Sequence, residues 1–236
     1  MSLGIVVALV AEAQVLTDTA LRAGEGIAIA PGLRLRLCGM GPESAAQAAE
    51  ALLAEGVGAL LAFGTAGALG PALRPGVLLL PERVLFAGRD YAVATPWRSR
   101  VAAQIHGEVL SGPLLTVATA CAQSAEKRAL HVRSGAVAVD MESGAVAAVA
   151  TAAGKPFLVL RALVDPVERD LPRSALVAVD AYGRLRLSAL LAALARRPWE
   201  IVALLRLGRE MNAALQSLGS AWRLLGPAGI APCRRC

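Results

Sequence analysis

Short aliphatic runs alternate with alanine-rich stretches of helical period along most of this chain. That alternation predicts an α/β fold, one domain with a central mixed, mostly parallel twisted sheet flanked by helices. A first strand is expected over residues 3–10, and a hairpin-like pair over 26–30 and 33–38 is joined across Pro31-Gly32. A helix starts at Pro42, where proline suits the first helical position and Glu43 complements the dipole, and Gly56 falls where a left-handed cap would end it. A strand over 59–63 then runs into a glycine loop, Gly64-Thr65-Ala66-Gly67. Further strands are expected at 76–80, 84–86, 114–118, 136–139 and 157–163, with a helix at 142–153 between the last two. Beyond Asp165 the pattern changes. Pro166 and Pro172 mark an irregular connection, and a long helix beginning at Pro198 carries Ile201, Leu204, Met211, Leu215, Leu218, Trp222 and Leu225 as one apolar stripe. The economical division is a core over residues 1–170 and a C-terminal helical extension over 171–236, within one domain.

Composition sharpens this picture in three ways. The hydrophobic fraction is 56%, yet no apolar run approaches the roughly 20 residues that span a bilayer, and the opening segment has neither a basic n-region nor a cleavage site. A cytoplasmic protein is expected, at most peripheral at the inner membrane. The net charge of +6 suits phosphate-bearing ligands or anionic lipid, while 3% aromatics argue against stacking on nucleic acid. Of four cysteines, Cys233 and Cys236 have metal-ligand spacing, but only His106 and His131 could complete a tetrahedral site, so a tail without metal is the expectation.

Two histidines outside any nucleophile setting disfavour a serine or cysteine triad. The Gly39-Met40-Gly41 turn has Ser44 where a dinucleotide fingerprint needs its third glycine. What remains is a set of carboxylates at strand ends. Glu12 follows the first strand, Glu142 lies in Val139-Asp140-Met141-Glu142-Ser143, and Asp165 follows the strand that carries Arg161. Ligands of open α/β sheets bind outside the carboxyl ends of strands, so these three acids can converge there. Each alone has a structural alternative, capping a helix or pairing with an arginine. Glu142 is the plainest case, since it falls in the first turn of a helix.

Four segments in order, Gly4-Ile5-Val6-Val7-Ala8-Leu9-Val10-Ala11-Glu12, Phe63-Gly64-Thr65-Ala66-Gly67-Ala68-Leu69, Ala138-Val139-Asp140-Met141-Glu142 and Val159-Leu160-Arg161-Ala162-Leu163-Val164-Asp165, resemble the nucleoside phosphorylase family. The branch they resemble most is that of methylthioadenosine/adenosylhomocysteine nucleosidases. The resemblance implies a nucleoside phosphorylase-like core and cleavage of a purine from its ribose. Asp165 would protonate N7 of the purine, Glu142 would grip the ribose hydroxyls and Met141 would pack beneath the sugar. Glu12, assisted by Arg161, would orient the attacking water, with Thr65, Ala66 and Gly67 lying against sugar and nucleophile. No cofactor is implied, except inorganic phosphate if cleavage is phosphorolytic, and a homodimer is expected.

The departures are specific. Asp140 replaces a glutamate, Ser143-Gly144 replace the usual small pair, Val10 and Ala11 replace an acidic run, and residues 117–124 lack the aromatic that stacks on adenine. No arginine stands at the end of the 59–63 strand, where phosphate-using relatives place one, which favours water. Arg83, Arg89, Arg98 and Arg100 remain open as phosphate contacts. The tail resembles the hopanoid-biosynthesis-associated branch, whose implied substrate is adenosylhopane, a membrane-derived nucleoside. Its basic amphipathic helix would then meet lipid, or else simply pack on the domain. A phosphorylase, a methylthioadenosine/adenosylhomocysteine nucleosidase and an idle nucleoside-binding scaffold stay as alternatives.

Overall fold

Residues 2–184 and 186–232 are described by the computed structural model, so the Cys233/Cys236 pair lies outside the described residues. The uninterrupted apolar run Leu3–Val7 forms strand β1, buried along its whole length as a strand covered on both faces must be. It ends three residues earlier than the apolar pattern predicts, because Val10–Leu16 turns into a short helix, α1. The hairpin β2 (Gly26–Ala30) and β3 (Leu33–Leu37) and helix α2 (Pro42–Ala54) follow as expected, with Gly56 at a φ of 83° just beyond the helix.

Strand β4 corrects the sequence reading. It runs without a break over Ala59–Ala68, so Gly64-Thr65-Ala66-Gly67 is strand and not loop. Next come β5 (Leu78–Leu79), the hairpin β6 (Arg83–Phe86) and β7 (Arg89–Ala92), and helix α3 (Thr95–Gln104). They are followed by β8 (Val109–Leu110), β9 (Leu114–Thr116), helix α4 (Ser124–Ser134), β10 (Ala138–Asp140), helix α5 (Ser143–Ala152) and β11 (Phe157–Leu163). Among the described residues these make an eleven-stranded mixed sheet with the path β2-β3-β1-β4-β10-β9-β6-β7, from which β11, β5 and β8 branch at β4.

The length of β4 explains the branching. Its first residues lie parallel to β1, and Leu60 to Ala66 pair in parallel with Phe157 to Leu163 of β11. Gly67 and Ala68 then pair antiparallel with Val139 and Ala138 of β10. The sheet therefore divides along the glycine segment, and the carboxyl ends of β1, β10 and β11 are brought to it.

The tail forms α6 (Arg173–Ala178), α7 (Leu187–Arg196), a 3-10 turn at Pro198–Glu200 and α8 (Ile201–Ile230). Helix α8 leaves helical geometry at Gly226, before Pro227. Its two halves differ in surroundings. Ala214, Leu218, Ala221, Leu225 and Ile230 belong to the same buried cluster as Leu3, Ile5 and Leu61, and Trp97 of α3 donates its indole N–H to the Ile230 carbonyl at 2.8 Å. At the other end Ile201 is exposed and Leu204 half-buried. The stripe read from the sequence is thus core in its second half only.

Candidate active site

Glu12 sits in the first turn of α1, and its carboxylate turns back toward the strands. One oxygen accepts the amides of Ala8 and Leu9 at 3.1 and 3.0 Å. The other accepts the amide and the hydroxyl of Thr65 at 2.7 and 2.9 Å. A helix N-terminus favours this charge, and four donors satisfy the acceptor capacity of both oxygens. Glu12 is buried, so these bonds replace the water it has lost.

Arg161 rises from β11 into the same space, fully buried. It lies 2.6 Å from Asp140 Oδ2 and 3.4 Å from Glu142 Oε2, and it donates to Ser143 Oγ at 3.0 and 3.2 Å. Burial works against its charge, but Asp140, Glu142 and Glu12 outweigh that and hold the guanidinium charged. Asp140 is fixed on its other side by the Thr116 hydroxyl at 2.6 Å and the Ser143 amide at 3.2 Å. The aspartate at this position therefore reaches the arginine directly. Gly144 is needed behind it, because a Cβ there would come within 2.3 Å of the Phe86 side chain.

Glu142 caps α5 instead of lying inside it. Its Oε1 accepts the Gly41 amide at 3.0 Å, so the glycine turn that fails as a dinucleotide motif serves here as a donor. Burial pushes its carboxyl up to about 7, with Arg161 opposing and Asp140 and Glu12 adding to the rise. Unlike Glu12, Glu142 keeps lone pairs free. Met141 precedes it, half-buried, at the end of β10.

Asp165 stands apart from this cluster. It follows β11 by two residues and is paired through Oδ2 with Lys127 of α4. Lys127 is fully buried and also donates to the carbonyls of Pro166 and Arg169 at 3.2 and 3.1 Å, which accounts for its three protons. Burial raises the Asp165 carboxyl above its ordinary value, and Lys127 lowers it only in part. The second oxygen, Oδ1, faces the backbone of β4, where a Cβ on Gly67 would lie 3.1 Å away. At Gly64 a Cβ would come within 2.5 Å of both Arg161 and Glu12. The absence of side chains at these two glycines lets both groups close on one strand, separated by three residues, about 10 Å.

A cavity of about 340 Å³ reaches Asp165 between Ser124, the 166–172 connection and the turns of α8 that carry Ala203, Arg206 and Leu207. A larger hollow of about 480 Å³ lies against the β2–β3 hairpin, and none of the strand-end acids lines it. The arginines left open as phosphate contacts are occupied elsewhere in three cases. Arg83 pairs with Asp90 on the β6–β7 hairpin, Arg98 donates to the Leu80 carbonyl, and Arg100 donates to carbonyls at the end of α8.

The structure thus brings Glu12, Thr65, Glu142 and Arg161 together at one end of the glycine segment and places Asp165 at the other. Sequence reasoning missed Lys127, Thr116 and the arginine contact of Asp140. Lys127 lies between Glu126 and Arg128 and reads as a solvated helix face. Only the helical packing, which no local pattern reports, shows it buried.

Residues 32–196, more than half of the chain, match the family model described as "Phosphorylase superfamily", and the chain belongs to that family. Among solved structures it resembles the 5′-methylthioadenosine/S-adenosylhomocysteine nucleosidase of Neisseria meningitidis in complex with methylthio-immucillin-A, at 16% identity. That match covers 93% of this chain and 96% of the other, with a TM-score of 0.68. The Streptococcus pneumoniae nucleosidase of the same name, with a transition-state inhibitor, matches at 16% identity over 96% of this chain and 100% of that one (TM-score 0.64). A futalosine hydrolase mutant of Helicobacter pylori matches at 20% identity over 69% and 89% (TM-score 0.59). Comparison with curated proteins finds no match.

Proposed function

We propose that this protein hydrolyses the N-glycosidic bond of an adenine nucleoside, using water as the nucleophile and no cofactor. The observation that carries the proposal is the division of charge along β4, a carboxylate–arginine cluster at Gly64 in which Glu142 keeps lone pairs free and a separate, paired carboxyl at Gly67. Departure of the base leaves an oxocarbenium-like sugar, which Glu12 and Glu142 stabilise electrostatically. Glu142 takes the ribose hydroxyls on its free lone pairs, above Met141. Asp165, protonated on Oδ1, donates to N7 as the base leaves, a contribution of about 10²–10⁴-fold.

Glu12 favours water as the nucleophile. Its oxygens occupy the amides of Ala8, Leu9 and Thr65, which are then not free to hold an incoming phosphate. A water held by the Thr65 hydroxyl passes its proton through Thr65 Oγ1 to Glu12. The neighbours' printed substrates, methylthioadenosine and adenosylhomocysteine, carry their variation at the 5′ position. For this chain the resemblance of the tail points to adenosylhopane, cleaved in the cytoplasm by a homodimer.

The test is incubation of the protein with methylthioadenosine, adenosylhomocysteine and adenosylhopane, with and without phosphate, while free adenine is measured. Adenine release without phosphate is expected, greatest from adenosylhopane and lost in Asp165→Asn. A strict phosphate requirement would replace water by phosphate in the scheme, and no release from any of the three would overturn it.

A further inference from the structure

Helices α6, α7 and the first turns of α8 present apolar side chains that nothing in the fold covers. No residue of α7 is buried. Leu187 and Leu191 on α7 are 60% and 59% exposed, and Trp199, Val202 and Leu205 beyond it are 72%, 61% and 60% exposed. Leu187 and Leu191 are four residues apart, and Trp199, Val202 and Leu205 follow at three-residue steps, so each set shares one helix face. Among the described residues, eight of the ten large hydrophobic side chains that stand exposed fall between Leu176 and Leu205. Scattered apolar residues need no explanation, whereas a concentration of this kind marks an interaction surface.

The charge of the same segment says what it meets. Residues 173–210 hold seven arginines against Asp180, Glu200 and Glu210, which leaves four of the six net positive charges of the whole chain here. Glu200 is itself turned inward, accepting from the Ser174 amide and hydroxyl at 2.8 and 2.6 Å. Pairing this face with its own copy about a two-fold axis would set arginines against arginines. A bilayer with anionic headgroups matches both features, since apolar side chains enter the interface while arginines pair with phosphate. No helix among the described residues is long and apolar enough to cross a membrane, so the contact lies in the surface plane.

We infer that α6, α7 and the start of α8 form a docking face for an anionic lipid surface. The turns of α8 that carry Val202 and Leu205 also carry Ala203 and Arg206, which line the cavity reaching Asp165. Docking therefore places the mouth of that cavity at the lipid boundary, where a nucleoside with an apolar 5′ substituent is available. This last consequence rests on the nucleosidase reading above, but docking itself does not.

Sedimentation of the full chain with lipid vesicles separates the two. Vesicles containing phosphatidylglycerol should bind at least about tenfold more protein than pure phosphatidylcholine, with the preference shrinking as salt is added. The variant Leu191→Glu/Val202→Glu should lose roughly tenfold in binding while cleaving a water-soluble nucleoside at the wild-type rate. Independently of that variant, the emission of Trp199 should move to the blue on adding anionic vesicles, and the shift should vanish in Trp199→Leu. Equal binding to both vesicle types, an unaltered double variant, or an unmoved Trp199 would each overturn the docking face. So would a dimer that dissociates in the double variant while neither protein binds vesicles. Loss of adenine release with vesicle binding intact would instead remove the nucleosidase reading and leave the docking face standing.

Discussion

The two ends of the glycine segment hold their carboxylates in opposite ways. At Gly64, Glu12, Asp140 and Glu142 surround a single buried arginine, and nearly every oxygen has a fixed donor. At Gly67, Asp165 has one lysine partner on one oxygen and leaves the other toward the strand. A dense network cannot readily change its geometry, because each member is held by several others. A pair with a free oxygen can. Under the proposed reaction the contrast suits the first end to the sugar, which needs negative potential, and the second to the base, which needs a mobile proton.

The largest effect is expected from breaking the network at its centre. Arg161→Met removes the arginine that Asp140 and Glu142 share and leaves two buried carboxylates without it. Such losses cost about 3–5 kcal/mol, and denaturant unfolding should show a fall of that order. Asp165→Asn, at the other end, leaves the buried Lys127 without its opposite charge, but an amide oxygen and two carbonyls still accept from it. It should therefore lose less stability than Arg161→Met while losing turnover. If the two variants proved equally stable, the sugar end would not be the rigid frame described.

Glu142 gives the next effect and a pH signature. Its folded carboxyl is pushed up to about 7 from an ordinary 4.5. The folded protein therefore holds a proton that the unfolded chain has released between these values, so stability is greatest below about 4.5 and declines as pH rises to 7. The decline attributable to this group is at most about 3 kcal/mol. Thermal unfolding of Glu142→Gln should show a shallower fall in melting temperature over that window than wild type. Parallel curves would mean that Glu142 is ionised throughout, and that the network absorbs its charge.

How far this contrast was legible in the sequence depends on what makes each residue functional. Glu12, Glu142 and Asp165 stand near strand ends, and strand ends follow from hydrophobic patterning, so their place beside the sheet could be read without coordinates, whereas the separation of Asp165 from the other two could not. The glycine segment could not. Glycine ordinarily punctuates a strand, and only the close approach of Glu12, Arg161 and Asp165 to Gly64 and Gly67 shows why the strand runs on through it. The stripe on α8 illustrates a different limit. Periodicity tells which residues share a face, but along the same stripe Leu218 meets the core and Ile201 meets solvent. Lys127 left no signal at all, since a lysine among charged neighbours on a helix is ordinarily solvated.

The smallest predicted effect tests the base end most directly. Lys127 both orients Asp165, through Oδ2, and pulls its carboxyl down against the rise caused by burial. Lys127→Met removes that pull, so Asp165 should hold its proton to higher pH. Under the proposed reaction the alkaline limb of the kcat profile then moves up, with kcat near neutral pH reduced by about tenfold or less for loss of positioning. A lysine that only ties α4 to the 166–172 connection would lower stability and leave the limb where it is. Removing the cation at Gly64 thus damages the frame, whereas removing the one at Gly67 retunes the acid. A limb that moves down instead would mean that Asp165 acts as its charged form, with the proton on N7 arriving from water.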